Sequence, residues 1–375
     1  MKPDTLSCFA PRPAGRKALV AVAAVLIALL QTAVPRVARA EQPTFTVGWS
    51  VYAGWNPYFY MQKSGILKKW ADKYGIQIKV QRFDYAASLD SFVAKNIDAC
   101  TMTNMEALDM PAASGVDSTV IITGDYSNGN DAVLTRNGLT FDKMAGKRVM
   151  LVQKTVSEYV LERGMVLSGQ QGKLASLKLL NTSDSDIAPA FLNNASNEAV
   201  VTWKPLVSQI LVDKSVHSIF DSSQIPGEIL DLLVVRTEVL KRPDGSGEKF
   251  AKAMNGAWYE TMQRLTGSGA QQMDALKVSA AASGDTVESY KAQLKTTALF
   301  STPQAASDFT VGPNLKQKMD LVRQFCFAHG LLGKGTKSVD DVAIAYPDGS
   351  VQGHKDRVRL RFDADYMKAA QQGKL

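Results

Sequence analysis

The sequence predicts an α/β protein built as two doubly wound lobes, and three observations carry that expectation. From Phe45 onward, strand-like and helix-like segments alternate. The 335 residues that follow an N-terminal address exceed what one hydrophobic core usually covers, which favours two lobes. A hydrophobic share of 45%, without repeats or low-complexity tracts, places the chain among globular rather than disordered proteins.

The address comes first. Basic Arg12, Arg16 and Lys17 precede an apolar run over 18–30, and Val37-Ala38-Arg39-Ala40 supplies an Ala-x-Ala site, the pattern of a secretory signal cleaved after Ala40. A lipid anchor would need a cysteine just after the apolar run, but Cys8 lies before it, so a soluble exported protein is expected. The first forty residues hold six Lys/Arg and one acid; 43 basic residues less six against 36 acids less one leave a formal net of +2. The basic pI of the whole chain therefore belongs largely to the leader, and a nucleic-acid partner is not expected. Cys100 and Cys326 are too few for a disulfide framework, and the sequence leaves open whether they pair.

The elements follow in order. Period-two apolarity marks a strand over 45–49, and Asn56-Pro57 reads as an N-cap with proline at the first helical position, opening a helix towards Ser64-Gly65. Then come a strand over 76–83, a helix over 88–95 and a short buried strand over 99–103. Strands are expected at 120–124 and 148–153, a helix at 157–167, a strand at 199–202 and an apolar run at 229–236. This alternation implies mostly parallel sheets, with ligands at the carboxyl ends of the strands. After Lys241 the texture becomes helical, beginning with an amphipathic helix over 248–265. Arg242-Pro-Asp-Gly-Ser and Tyr346-Pro-Asp-Gly-Ser signal turns, and the chain ends in a hairpin-like extension.

Catalytic motifs are scarce. His217, His329 and His354 lack metal-ligand spacing, so no metal or other cofactor is expected. Cys326 and His329 sit three apart on an apolar helical stretch, which reads as a buried thiol beside a helix-end histidine rather than a nucleophile pair. Residues 330–336, GLLGKGT, lack the spacing of a phosphate loop and follow no strand, and no Gly-x-Ser-x-Gly elbow occurs. Binding is expected rather than turnover.

Polar groups collect in the loops after the expected strands. Ser50 follows the first, Asp84-Tyr85 and Ser88 the second, Thr103 to Glu106 the third, Asp125 to Asp131 the fourth, Ser157-Glu158 the next, and Trp203 the strand at 199–202. Glu106, Asp131 and Glu158 are carboxylates, whereas these loops hold no arginine and only Lys154. An oxyanion ligand would call for Arg, Lys or free helix N-terminal amides. Carboxylates beside indole and phenol rings suit a small planar cation, whose face stacks while its NH groups donate. Trp49 and Trp55 are the expected aromatic wall, Tyr52 a further candidate and Phe59 core.

At these residues the chain resembles the periplasmic substrate-binding proteins of ABC importers, in the nitrate/sulfonate/taurine-type group, and within it the urea carboxylase-associated branch linked to urea and guanidine. The matching stretches are Gly48-Trp-Ser with Gly54-Trp55, Ser127-Asn-Gly-Asn-Asp131, Val156-Ser-Glu158, Trp203-Lys-Pro205, Ile225-Pro-Gly227 with Asp231-Leu-Leu-Val-Val, and Leu360-Arg-Phe-Asp-Ala-Asp-Tyr-Met367. The resemblance implies a type II periplasmic-binding fold: lobe I from 41–132 and 236–330, lobe II from 133–235, and an extension over 331–375. It implies crossings near 131–137 and 231–237, and a ligand trapped between the lobes. It also implies a periplasmic monomer without cofactor, serving a membrane permease rather than catalysing a reaction. Carried over by position, Trp49, Ser50, Trp55, Ser88, Glu106, Asp131, Glu158 and Trp203 form the site. Asp131 and Glu158 would accept from the NH groups of guanidinium or urea. Met105-Glu106 departs from the branch's more usual Asn-Asp. Nitrate, sulfonate or taurine, or a pyrimidine thiamine precursor, are the alternative ligands. An enzyme on the same scaffold would need a histidine or cysteine in the cleft.

Overall fold

The computed structural model describes residues 41–375, with Met1 and Ala10 as isolated positions, so the expected leader lies outside the described residues. The chain first lays down β1 (Thr44–Trp49), β2 (Gln77–Arg82), β3 (Ala99–Thr103) and β4 (Ser118–Ser127). It then crosses to β5 (Ala132–Arg136), β6 (Arg148–Leu151), β7 (Lys178–Asn181), β8 (Ala199–Thr202) and β9 (Val216–Asp221). On returning it adds β10 (Leu230–Arg236), β11 (Thr297–Leu299), β12 (Ala343–Ala345), β13 (Val351–Gln352) and β14 (Val358–Phe362). The larger sheet runs β13-β12-β14-β4-β10-β3-β1-β2 with β11 also on β4, and the smaller runs β7-β6-β8-β5-β9.

The sheets are more mixed than the alternation suggested. β1 pairs in parallel with β2 and β3, and β6 with β7 and β8. The two strands adjoining the crossings run the other way: β5 is antiparallel to β8 and β9, and β10 to β3 and β4. A strand reached directly from the other lobe enters its sheet from the cleft side, so it opposes strands that were entered from below. The crossings themselves lie between Ser127 and Ala132 and between Asp221 and Leu230. The return is thus earlier than the expected 231–237, because those residues form β10 inside the larger sheet instead of closing the second lobe. The C-terminal stretch is not an appendage either, since β14 lies parallel to β4 and carries β12 beside it.

Local sequence explains the elements that frame the cleft. In β1, Phe45 and Val47 point into the core while Thr44 is exposed, the alternation of a half-buried strand. The helix Asn56–Lys63 starts one residue earlier than expected. Trp55 occupies the N-cap position, and Asn56 lies inside the helix, where its amide donates to Ser283 Oγ at 2.9 Å. The fully buried Phe45 stacks on Phe250 and Tyr58 packs on Trp258, so the long helix Ser246–Thr266 covers the larger sheet. Cys100 and Cys326 are buried and unpaired.

A seam joins the lobes behind the cleft. The helix Val156–Leu167 of the smaller lobe faces the helix Pro313–Ala328 of the larger, with the Tyr159 and Phe325 rings edge-to-face at 5.2 Å. Glu228, in the return crossing, accepts from Tyr159 at 2.5 Å and from both Arg163 Nε at 2.8 Å and Nη2 at 3.1 Å, with Lys318 at 3.7 Å. His329 Nε2 meets Glu162 Oε2 at 2.6 Å, and that contact raises the imidazole pKa. A raised folded-state pKa stabilises below the unfolded value, near 6.5, and that gain is lost as pH climbs through the folded value. The wild type is therefore expected to lose about 0.5 kcal/mol more than Glu162→Gln between pH 6 and pH 9, a modest figure because both groups are partly exposed. Denaturant titrations of the two proteins at each pH measure it.

Candidate functional site

A small cavity lies where the two sheets face each other, and each wall comes from a strand end. Tyr52 and Trp55 follow β1, Tyr85 follows β2, Thr103 ends β3, and Asp231 lies near the start of β10. From the smaller lobe come Asp131 just before β5, Val156 at a helix start and Trp203 after β8. The space left is about 10 Å³ for the centre of a water-sized body, close to the least that admits one water. Wider hollows beside Trp70 and Glu260, and beside Gly333 and Arg357, are more open to solvent and lack this convergence of buried rings and acids.

The rings form a continuous wall across the two lobes. Tyr52 meets Trp55 edge-on at 5.2 Å, Trp55 tilts against Tyr85 at 5.4 Å, and Tyr85 meets Trp203 edge-on at 5.6 Å. Trp203 Nε1 donates to Val51 O at 3.1 Å, a direct bond between the lobes. Trp55 Nε1 is buried without a partner. Such an indole N–H is an unspent donor on a side chain that lines the cavity.

The acids sit among these rings without basic partners. Asp131 is 4% exposed, its backbone N–H held by Ser127 Oγ at 3.2 Å, and burial pushes its carboxyl up to about 7 against the opposing Ser127 hydrogen bond. Asp125 and Asp231 are direct cross-strand partners on β4 and β10. Burial lifts Asp125 to about 7, and burial followed by the Asp125 charge lifts Asp231 well above the ordinary range. Like charges opposed in this way are destabilising unless something compensates them. Gly54 gives Asp125 its room: a Cβ there would stand 2.3 Å from Asp125 Oδ2 and 2.7 Å from the Tyr52 ring.

Glu106 also helps set the sign of the cleft. It is fully buried, accepts from the Thr103 hydroxyl, and takes the Val156 N–H at 2.6 Å. The next two amides of that helix are used by Thr155, whose Oγ1 accepts from Ser157 N and whose carbonyl accepts from Glu158 N. A helix N-terminus that could have held an oxyanion is thereby filled by a side chain of the protein.

Of the residues expected from sequence, Trp55, Asp131 and Trp203 and the further candidate Tyr52 line the cavity, and Glu106 bridges two of its wall residues. The others lie elsewhere. Trp49 is 2% exposed and packs on Phe59 at 6.1 Å. Ser50 and Ser88 face each other at 3.5 Å, and Ser88 donates to Tyr85 O at 2.7 Å, bracing the helix Tyr85–Val93. Glu158 accepts from Lys154 N at 2.8 Å, the structural role of an acid in a first helical turn. Tyr85, Asp125 and Asp231 were not among the expected site residues. The signal for the two aspartates was an acid set in an otherwise apolar strand.

No protein-family model matches this chain, and no curated protein matches it. Solved structures do. The alkanesulfonate-binding protein SsuA from Xanthomonas axonopodis pv. citri bound to MOPS aligns with a TM-score of 0.65 at 15% identity, over 79% of this chain and 96% of that one. The periplasmic aliphatic sulphonate binding protein SsuA from Escherichia coli gives 0.62 at 13%, over 78% and 94%. The periplasmic nitrate-binding protein NrtA from Synechocystis PCC 6803 gives 0.54 at 11%, over 88% and 99%. At these identities the likeness establishes the periplasmic binding protein fold.

The Gly54→Ala variant is expected to lose about 1–3 kcal/mol of stability through forced displacement of Asp125 and Tyr52. Urea denaturation followed by tryptophan fluorescence reads this directly.

Proposed function

We propose that the protein is the exported solute-binding component of an ABC importer, closing on a small planar nitrogen compound, guanidinium or urea-like, and handing it to a membrane permease. The observation that carries this reading is a cavity walled by Trp55, Tyr85 and Trp203 with buried Asp131 and Asp231 and no basic side chain. Ring faces accept a flat ligand, and carboxylates accept its NH groups; neither element suits an anion. The neighbours named for sulfonate and nitrate support the role in transport and the two-lobed capture. They favour an anionic ligand as the second reading, against which Glu106 on the Val156 amide is the counter-argument. No expected histidine or cysteine reaches the cavity wall, which supports capture over catalysis.

The cavity's size favours a ligand of few heavy atoms, since only a slight parting of the lobes would admit it. Guanidinium is expected to raise the melting temperature in a concentration-dependent way, and taurine and nitrate to leave it unchanged. Asp131→Asn is expected to weaken guanidinium binding by about tenfold or more, as for loss of a buried charge-assisted hydrogen bond. Glu158→Gln, whose carboxylate serves Lys154, is expected to stay within about threefold. Calorimetry on the three proteins tests the reading, and tight taurine or nitrate binding by the wild type would overturn it.

A further inference from the structure

The Asp125–Asp231 pair does more than add negative charge. The two residues are directly opposed on adjacent antiparallel strands, and both carboxyl groups are buried. Two carboxyls so placed cannot both ionise without a compensating charge, and a proton held by the pair relieves the repulsion. Among the described residues no donor reaches Asp125 Oδ2 or Asp231 Oδ2, although both are buried. Asp131 is the charged group that bears on the pair, and the surrounding phenols of Tyr52, Tyr58, Tyr85 and Tyr290 are held neutral, their pKa values raised by burial first, with the pair's own charge adding to it.

The surrounding hydrogen bonds fix which partner holds the proton. Asn130 Nδ2 donates to Tyr52 Oη at 3.0 Å and to Thr297 Oγ1 at 2.6 Å, while Asn130 Oδ1 accepts from Thr296 at 2.6 Å. With its oxygen already receiving a hydrogen from Asn130, Tyr52 turns its own proton to Asp125 Oδ1 at 3.1 Å. Asp125 is therefore the acceptor and Asp231 the acid. Asp231 is also the member of the pair that lines the cavity, near the unpartnered Trp55 indole and the buried Asp131.

We propose that this pair is the charge-selecting element of the cleft: a monocation binds against Asp231 and Asp131 in exchange for the proton that Asp231 shares with Asp125, and neutral isosteres bind far more weakly. The proton passes to the buffer, so net charge inside the closed cleft is unchanged when guanidinium enters. A neutral ligand such as urea leaves the proton in place and meets one protonated acid instead of an ion pair. This deepens the proposed function and rests on it, choosing the cation over urea.

The sign follows from linkage. A ligand that displaces a proton binds more weakly as pH falls, by up to tenfold per pH unit for one proton. Guanidinium affinity is therefore expected to rise steeply from pH 5.5 to pH 8, while urea affinity stays flat. Calorimetry in buffers of different ionisation enthalpy should show release approaching one proton per guanidinium. Asp231→Asn, which keeps the shape, should abolish the release, weaken guanidinium at least tenfold and spare urea. Its ligand-free melting temperature at pH 8 should equal or exceed that of the wild type, because Asn supplies the hydrogen without the proton uptake that folding of the wild type requires there. Guanidinium binding without pH dependence or proton release, or urea binding as tightly as guanidinium, overturns this inference while leaving the transport reading intact. Failure of the wild type to bind either compound overturns the transport reading itself. Should Asp231→Asn not fold, the wild-type pH series and proton count still decide.

Discussion

The organisation of the molecule depends on one constraint: several carboxyl groups are buried where the lobes meet, and no lysine or arginine of the cavity wall neutralises them. Leaving one ionised and unpaired in such a place costs several kcal/mol. The fold nevertheless fixes Asp231 on β10, between β3 and β4 near the centre of the larger sheet, where the strand cannot retreat without disturbing both neighbours. A group so held must be compensated by a proton or by a cation from outside. That requirement links the topology to the charge of the proposed ligand more directly than any single contact does.

The remaining features arrange this compensation. The antiparallel entry of β10 turns the Asp231 end of the strand to the cleft, and the return crossing just before it brings Glu228 under Arg163, Tyr159 and Lys318. These contacts close the seam behind the cavity, and the Trp203 to Val51 bond closes its aromatic face. Glu106 holds the helix start opposite, so the lobes meet through one buried carboxylate and one backbone amide. The acids are kept dry by groups drawn from both lobes. Separating the lobes would return them to water and to their ordinary ionisation, which couples hinge motion to charge.

Much of the fold was legible because it is written in short-range pattern. The strands over 99–103 and 199–202 coincide with β3 and β8, since a bounded apolar run leaves little choice. Sheet polarity was not legible, because the antiparallel placement of β5 and β10 depends on where the chain crosses, a fact about distant segments. In the cavity wall, Asp131, Trp55 and Trp203 could be read from polar and aromatic residues after apolar strands. Trp49 misled for the opposite reason: its ring ends a strand whose alternation carries it into the core against Phe59. Asp231 was hidden inside an apolar run where the family resemblance implied a crossing, and only pairing with Asp125 gives it meaning.

A shared fold leaves the sign of the ligand undetermined, because scaffold and site chemistry vary independently. What decides it here is which groups occupy the positions where a ligand's charge would lie. A helix start with free amides attracts oxygen anions, yet the amide of Val156 is given to Glu106, and Thr155 takes the two that follow. An anion entering this cleft would find no spare donor at the helix and a carboxylate in its place. It would also stand beside Asp131 and the Asp125–Asp231 pair, already burdened with like charge. A planar cation meets the reverse: rings on its faces, acceptors at its edge and a proton ready to leave. The same two-lobed scaffold can thus serve ligands of opposite charge, and on the reading proposed for this chain the buried acids supply the choice.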